Sequence, residues 1–102
     1  MRWLEIIRLR SVGIGEGSLE EFLRSLVKSS RSRELVEIKT YRHAFLANDV
    51  SVHLHWESGR PEQDGTALGL RLGQALKEFG LTDHSSWIEE QAKTDFEPSA
   101  RG

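Results

Sequence analysis

Three histidines and one tyrosine have residue types and spacing that suit chemistry. His53 and His55 alternate with apolar residues in "VHLHWE" (residues 52–57), and His43 and Tyr41 precede them in the chain. An imidazole with a pKa of about 6.5 can accept and return a proton near neutral pH. We therefore take His53, His55, His43 and Tyr41 as candidate catalytic residues. Binding of Zn, Cu, Ni or Fe by the same imidazoles is an alternative, for which no fourth ligand is evident.

The alternation around these histidines is typical of a half-buried β-strand. Successive side chains of a strand point to opposite faces, so Val52, Leu54 and Trp56 share one face and His53 and His55 share the other. Burying each apolar side chain is worth roughly 1.5–3 kcal/mol, so the apolar face must meet the helices. The two imidazoles are then expected on a face of the sheet that no helix covers.

The preceding segment, residues 34–46, reads as the partner strand of a hairpin, with Val36 and Ile38 facing inward. A three-residue loop, Ala47-Asn48-Asp49, keeps both apolar sets on one face. That register predicts the pairs His43 with His53, Tyr41 with His55, and Lys39 with Glu57. A two-residue turn at Asn48-Asp49 would instead send His43 to the opposite face, and both registers stay open.

The remaining segments complete a β-α-β-β-α-β order. A strand at residues 3–10 precedes a helix that Ser18 and Glu21 cap, and a second helix within residues 66–79 ends at Gly80. Residues 85–91 read as the last strand. This order predicts an α+β fold, a ferredoxin-like sandwich with a four-stranded antiparallel sheet and both helices on one face. A single domain is expected over residues 1–91, with a flexible C-terminal tail at 92–102.

Composition limits the class of protein. The chain has 102 residues, no cysteine and a net charge of −2, which excludes thiol chemistry and provides no electrostatic footprint for nucleic acid. Its apolar runs are too short to span a membrane, and its N-terminus does not resemble a signal peptide. We therefore expect a cytoplasmic protein with no nucleic-acid or membrane partner. The glycines at 13, 15 and 17 lack dinucleotide-binding spacing, so no cofactor is predicted.

The first strand points to a second subunit. Trp3, Ile7 and Leu9 share one face with Glu5, while Leu4 and Ile6 lie on the other. A sheet that is apolar on both faces is covered on both faces, and the helices can cover only one. A homodimer is the expected solution, because two-fold dimers are the commonest assembly.

The element order over residues 2–91 and the strand ending Trp56-Glu57-Ser58 resemble the dimeric α+β-barrel superfamily, and within it the antibiotic-biosynthesis monooxygenase-like group. The resemblance implies a homodimer whose sheets close face to face, leaving cavities between each sheet and its helices or partner segments. Members include cofactor-free monooxygenases, haem-degrading enzymes and isomerases. The haem-degrading branch has an asparagine in the first strand, where this chain has Glu5, so that branch is not expected.

Three functions remain open from the sequence. The leading one is an acid–base enzyme, such as a cofactor-independent monooxygenase, acting on a small organic ligand. The others are a non-enzymatic dimerisation or ligand-binding regulatory module and a histidine-based metal-binding protein. His84 is read as a loop residue rather than a base, because its neighbour Asp83 points away from it on an extended chain.

Overall fold

The computed structural model describes residues 1–11, 16–30, 32–61 and 63–90. A four-stranded antiparallel sheet, in the order β2-β3-β1-β4, carries two helices. The elements are β1 Arg2–Ser11, α1 Glu16–Ser29, β2 Leu35–Arg42, β3 Asp49–Glu57, α2 Ala67–Leu76 and β4 Gly80–Ile88. The α+β, ferredoxin-like prediction is confirmed. The predicted tail and the glycines at 13 and 15 lie outside the described residues, and neither described helix is long and apolar enough to cross a membrane.

The core lies between the sheet and the helices because the central strands place their apolar residues on that side. The buried apolar residues are Trp3, Ile7, Leu9, Leu19, Val50, Val52, Leu54, Trp56, Leu72 and Leu76. Trp3 and Trp56 are paired across β1 and β3, and their rings stack with centroids 5.8 Å apart. The predicted inward face of the histidine-bearing strand is therefore confirmed.

The predicted N-cap of the first helix and the predicted C-cap of the second are both wrong. Helix α1 begins at Glu16, so Ser18 lies inside the helix and is not its N-cap. Helix α2 begins after Thr66, whose hydroxyl accepts a 2.9 Å hydrogen bond from the Gly69 N–H. Gly80 is not a C-cap: it is the first residue of β4 and pairs with Ser11, because the last strand begins earlier than residue 85.

The predicted hairpin register is wrong. Strand β2 ends at Arg42, and Tyr41 pairs with Ser51 instead of His55. The link to β3 is residues 43–48, longer than the predicted three-residue loop, because His43 and Asp49 close it through a 2.8 Å backbone hydrogen bond. The slip covers an even number of residues, so Tyr41 still shares a face with His53 and His55.

A β-bulge between Leu35 and Glu37 corrects a second prediction about β2. Val36 was expected to face inward with Ile38, but the extra residue turns it outward, where it is 55% exposed. Leu35 takes the inward position instead and packs on the core with Ile38. Period-two alternation fails at a bulge because two residues oppose one on the partner strand.

Candidate functional site

The helix-free face of the sheet carries the predicted site. Four rows of side chains cross it in the strand order β2-β3-β1-β4. The rows are Glu37–His55–Leu4–Trp87, Lys39–His53–Ile6–Ser85, Tyr41–Ser51–Arg8–Asp83, and a short row Asp49–Arg10–Leu81. Both imidazoles of β3 therefore lie at the middle of the face, next to apolar residues of β1.

His53 has neighbours that favour its neutral form. Its Nε2 lies 3.0 Å from the Ser51 hydroxyl, and the Tyr41 ring is 4.5 Å away between centroids. Burial, and secondarily the nearby His55, lower the pKa of His53 below its ordinary 6.5. A neutral imidazole at neutral pH can act as a proton acceptor.

His55 carries an unsatisfied polar atom. Its Nε2 is buried and has no hydrogen-bond partner, and it is the one such side-chain atom found in the described part of the chain. The ring lies 6.4 Å from that of His53. A buried polar atom without a partner costs about 1–3 kcal/mol, so each case calls for an explanation. A ligand or a second subunit that supplies the missing hydrogen bond would remove this cost.

The structure brings Tyr41 to His53 but gives His43 a different task. The Nδ1 of His43 accepts hydrogen bonds from the backbone N–H groups of Phe45 and Leu46, at 3.0 and 3.1 Å. His43 therefore closes the loop between β2 and β3 and does not pair with His53. It remains at the rim of the groove that His53 lines.

Two grooves divide the helix-free face. One, of about 420 Å³, includes Tyr41, His53 and Leu81 in its lining, and the other, of about 310 Å³, includes His55 and Trp87. Leu81 and Trp87 at their edges are 77% and 58% exposed. No group of three His, Cys, Asp or Glu side chains among the described residues is placed to hold a metal ion.

A separate cleft of about 810 Å³ lies between the two helices, over the stacked Trp3 and Trp56. Arg60 and Arg71 line it. Among the described residues neither arginine forms an ion pair. The cleft therefore offers an aromatic floor beside two arginines.

A second polar cluster, centred on Glu5, lies on the helix-covered face. Glu5 is fully buried at 0% exposure. Its Oε1 accepts from the Trp56 indole at 3.0 Å and from the Thr66 hydroxyl at 2.7 Å. Its Oε2 accepts from the Thr66 backbone N–H and lies beside His84 Nε2, both at 2.8 Å.

The reading of His84 as a loop residue is wrong, because β4 extends from Gly80 and places His84 opposite Ile7 on the core face. The sequence contained one signal for this partner. An acidic residue on a strand face shared with Trp3 and Ile7 must be buried, and a buried carboxylate needs donors. Because Glu5 and His84 lie far apart in the sequence, the sequence alone does not identify His84 as a partner of Glu5.

No known protein family, curated protein or solved structure matches this chain.

Proposed function

We propose that the chain forms a homodimer through the helix-free face of its sheet and binds a small organic ligand there, beside His53 and His55. The observation that carries this proposal is the Nε2 of His55, which is buried and has no partner among the described residues, on a face that is otherwise open. A second copy would enclose both grooves. The resemblance to the dimeric α+β-barrel superfamily agrees with such closure.

The size and composition of the face support a dimer. Strands β3 and β4 are nine residues long. A sheet of four such strands, spaced about 4.8 Å apart, spans roughly 19 by 30 Å. Side chains that project from the sheet increase its surface area, which brings it toward the ~800 Å² that each partner buries in a standard interface. Burying Trp87 and Leu81 adds roughly 1.5–3 kcal/mol for each side chain.

The activity that we propose is acid–base chemistry on a weak acid such as a phenol. Neutral His53 accepts the ligand proton, and His55 supplies a hydrogen bond that holds the ligand. Tyr41 packs against His53 and orients its ring. In the monooxygenase version, the resulting phenolate reacts with dioxygen as co-substrate: one oxygen atom enters the ring as a carbonyl, the other leaves as water, and the phenol becomes a quinone without a cofactor.

Sedimentation velocity of charge-insertion variants tests the dimer. We expect Leu81→Glu and Trp87→Glu to convert the dimer to a monomer, because each places a charge in the interface. Leu70→Glu is the matched control, since Leu70 is also exposed but lies on α2. If all three variants dissociate the dimer equally, or if none of them does, the helix-free face is not the dimer interface.

A titration with p-nitrophenol, followed by heteronuclear NMR, tests the ligand site. We expect the largest shifts at the imidazoles of His53 and His55, and an at least fivefold weaker affinity for His55→Gln. His43→Gln is the control for the loss of a histidine, because His43 does not line the groove that includes His55. If the shifts concentrate instead on Arg71 and Trp3, the ligand site lies in the cleft between the helices. If nothing shifts, a non-enzymatic dimerisation module is the better account.

A further inference from the structure

The cluster around Glu5 uses every hydrogen-bonding position of a buried carboxylate. Two donors reach each oxygen: Trp56 and the Thr66 hydroxyl at Oε1, the Thr66 N–H and His84 at Oε2. An indole N–H and a backbone N–H can only donate, and the Thr66 hydroxyl donates beside them, which is the environment of an ionised carboxylate. The Thr66 hydroxyl accepts from Gly69 N–H, which leaves its proton for Glu5.

This arrangement favours one tautomer of His84. A carboxylate only accepts, so the Nε2 that lies 2.8 Å from Oε2 carries the proton. The Nδ1 then has a lone pair. That atom has no hydrogen-bond partner among the described residues, and the side chain of His84 is 23% exposed.

Two glycines leave the space that the pair occupies. A Cβ at Gly69 would lie 2.2 Å from Glu5 Oε2, and a Cβ at Gly65 would lie 2.3 Å from His84 Cε1. The φ of Gly65 is +101°, a conformation that other residues rarely adopt. Glu5 holds the Thr66 cap at the start of α2, but that role does not need the imidazole of His84, which requires a further reason.

We propose that His84 is a general base on the edge strand β4, separate from the helix-free face, with Glu5 as its positioning residue. The proton of a neutral O–H acid, water included, moves to Nδ1, and the electron pair of the broken bond stays on oxygen. Glu5 stabilises the resulting imidazolium, and the proton returns to the product or to solvent. The negative charge of Glu5 disfavours anionic substrates.

Imidazole ¹⁵N spectra of the unmodified protein test the geometry without relying on any variant. We expect His84 as a single tautomer with protonated Nε2 and bare Nδ1. The exposed His43, whose Nδ1 accepts from backbone N–H groups, is an internal reference for the same tautomer. A protonated Nδ1 at neutral pH, or a mixture of tautomers, would overturn the proposal.

Hydrolysis of p-nitrophenyl acetate tests the reactivity. Water gives one proton to Nδ1 while its oxygen bonds to the acetyl carbon, and the bond to p-nitrophenolate breaks. The product is acetic acid, which loses its proton to solvent. We expect His84→Gln to lose at least tenfold of the protein-dependent rate, because general base catalysis contributes roughly 10²–10⁴-fold. The glutamine amide can still donate to Glu5, so the fold should persist. His43→Gln is the control that should keep the rate, because His43 closes the loop between β2 and β3.

A positioning role for Glu5 predicts a change that a purely structural role does not. In Glu5→Gln the pH–rate profile should shift to lower pH, and His84 should become a mixture of tautomers. Glu5→Asp should restore part of the rate if the shorter side chain still reaches His84. An unchanged rate in His84→Gln would overturn the proposal, and so would an unchanged pH profile in folded Glu5→Gln.

Discussion

Replacing Gly69 by alanine should destabilise the protein, although glycine-to-alanine changes normally favour a helix by up to about 1 kcal/mol. The new Cβ would lie 2.2, 2.6 and 2.8 Å from Oε2, Cδ and Oε1 of Glu5. The carboxylate must move, and Trp56, Thr66 and His84 cannot all follow it. Losing two of the four bonds to a charged group, at about 1.5–3 kcal/mol each, outweighs the helix gain. We expect a net loss of about 2–5 kcal/mol.

Gly73 is a matched control in the same helix, because no atom lies within 4 Å of a Cβ at that position. Gly73→Ala should stabilise the protein by about 0.5–1 kcal/mol. Urea unfolding followed by tryptophan fluorescence gives both free energies, and thermal melts should differ by roughly 4–8 °C per kcal/mol. If Gly69→Ala is as stable as Gly73→Ala, Glu5 does not fill the space against α2, and the cluster described around it is wrong.

Three further predictions concern β2 and the histidines. In urea unfolding, Ile38→Thr should lower the free energy of unfolding by about 1–3 kcal/mol and Val36→Thr by less than about 0.5 kcal/mol, because the bulge turns only Val36 outward. Equal losses in the two variants would contradict the bulge. The pKa of His53 is lowered in the folded protein, so as the pH falls below 6.5 the unfolded chain takes up a proton before the folded protein does. The free energy of unfolding should therefore fall toward pH 5, and it should fall less in His53→Gln. Parallel pH curves for the two proteins would contradict this. His43→Ala should lower stability by about 0.5–1.5 kcal/mol through the loss of two loop hydrogen bonds, and an unchanged melting temperature would contradict that role.

The order of elements could be predicted because it depends on local patterns. Alternation in β3 placed Val52, Leu54 and Trp56 inward, and helical periodicity located α2. These features follow from burial of one face and need no knowledge of distant residues. The position of His53 and His55 on the helix-free face follows from the same alternation.

The register and the buried cluster could not be predicted because they depend on contacts between distant residues. The loop closed by His43 decides which residue faces His53, the bulge at Val36 decides which residue faces Trp56, and no local pattern reports either. The pairing of Glu5 with His84 depends on β1 and β4 being neighbours. A last strand predicted to begin at residue 85 leaves His84 in the preceding loop, which hides it as the partner of Glu5.

The solution mass of the unmodified chain tests the dimer most directly. Size-exclusion chromatography with light scattering, from about 1 to 100 µM, should give twice the mass of one chain across the upper part of this range. A mass equal to one chain throughout would leave His53 and His55 on an open surface and contradict the enclosed site.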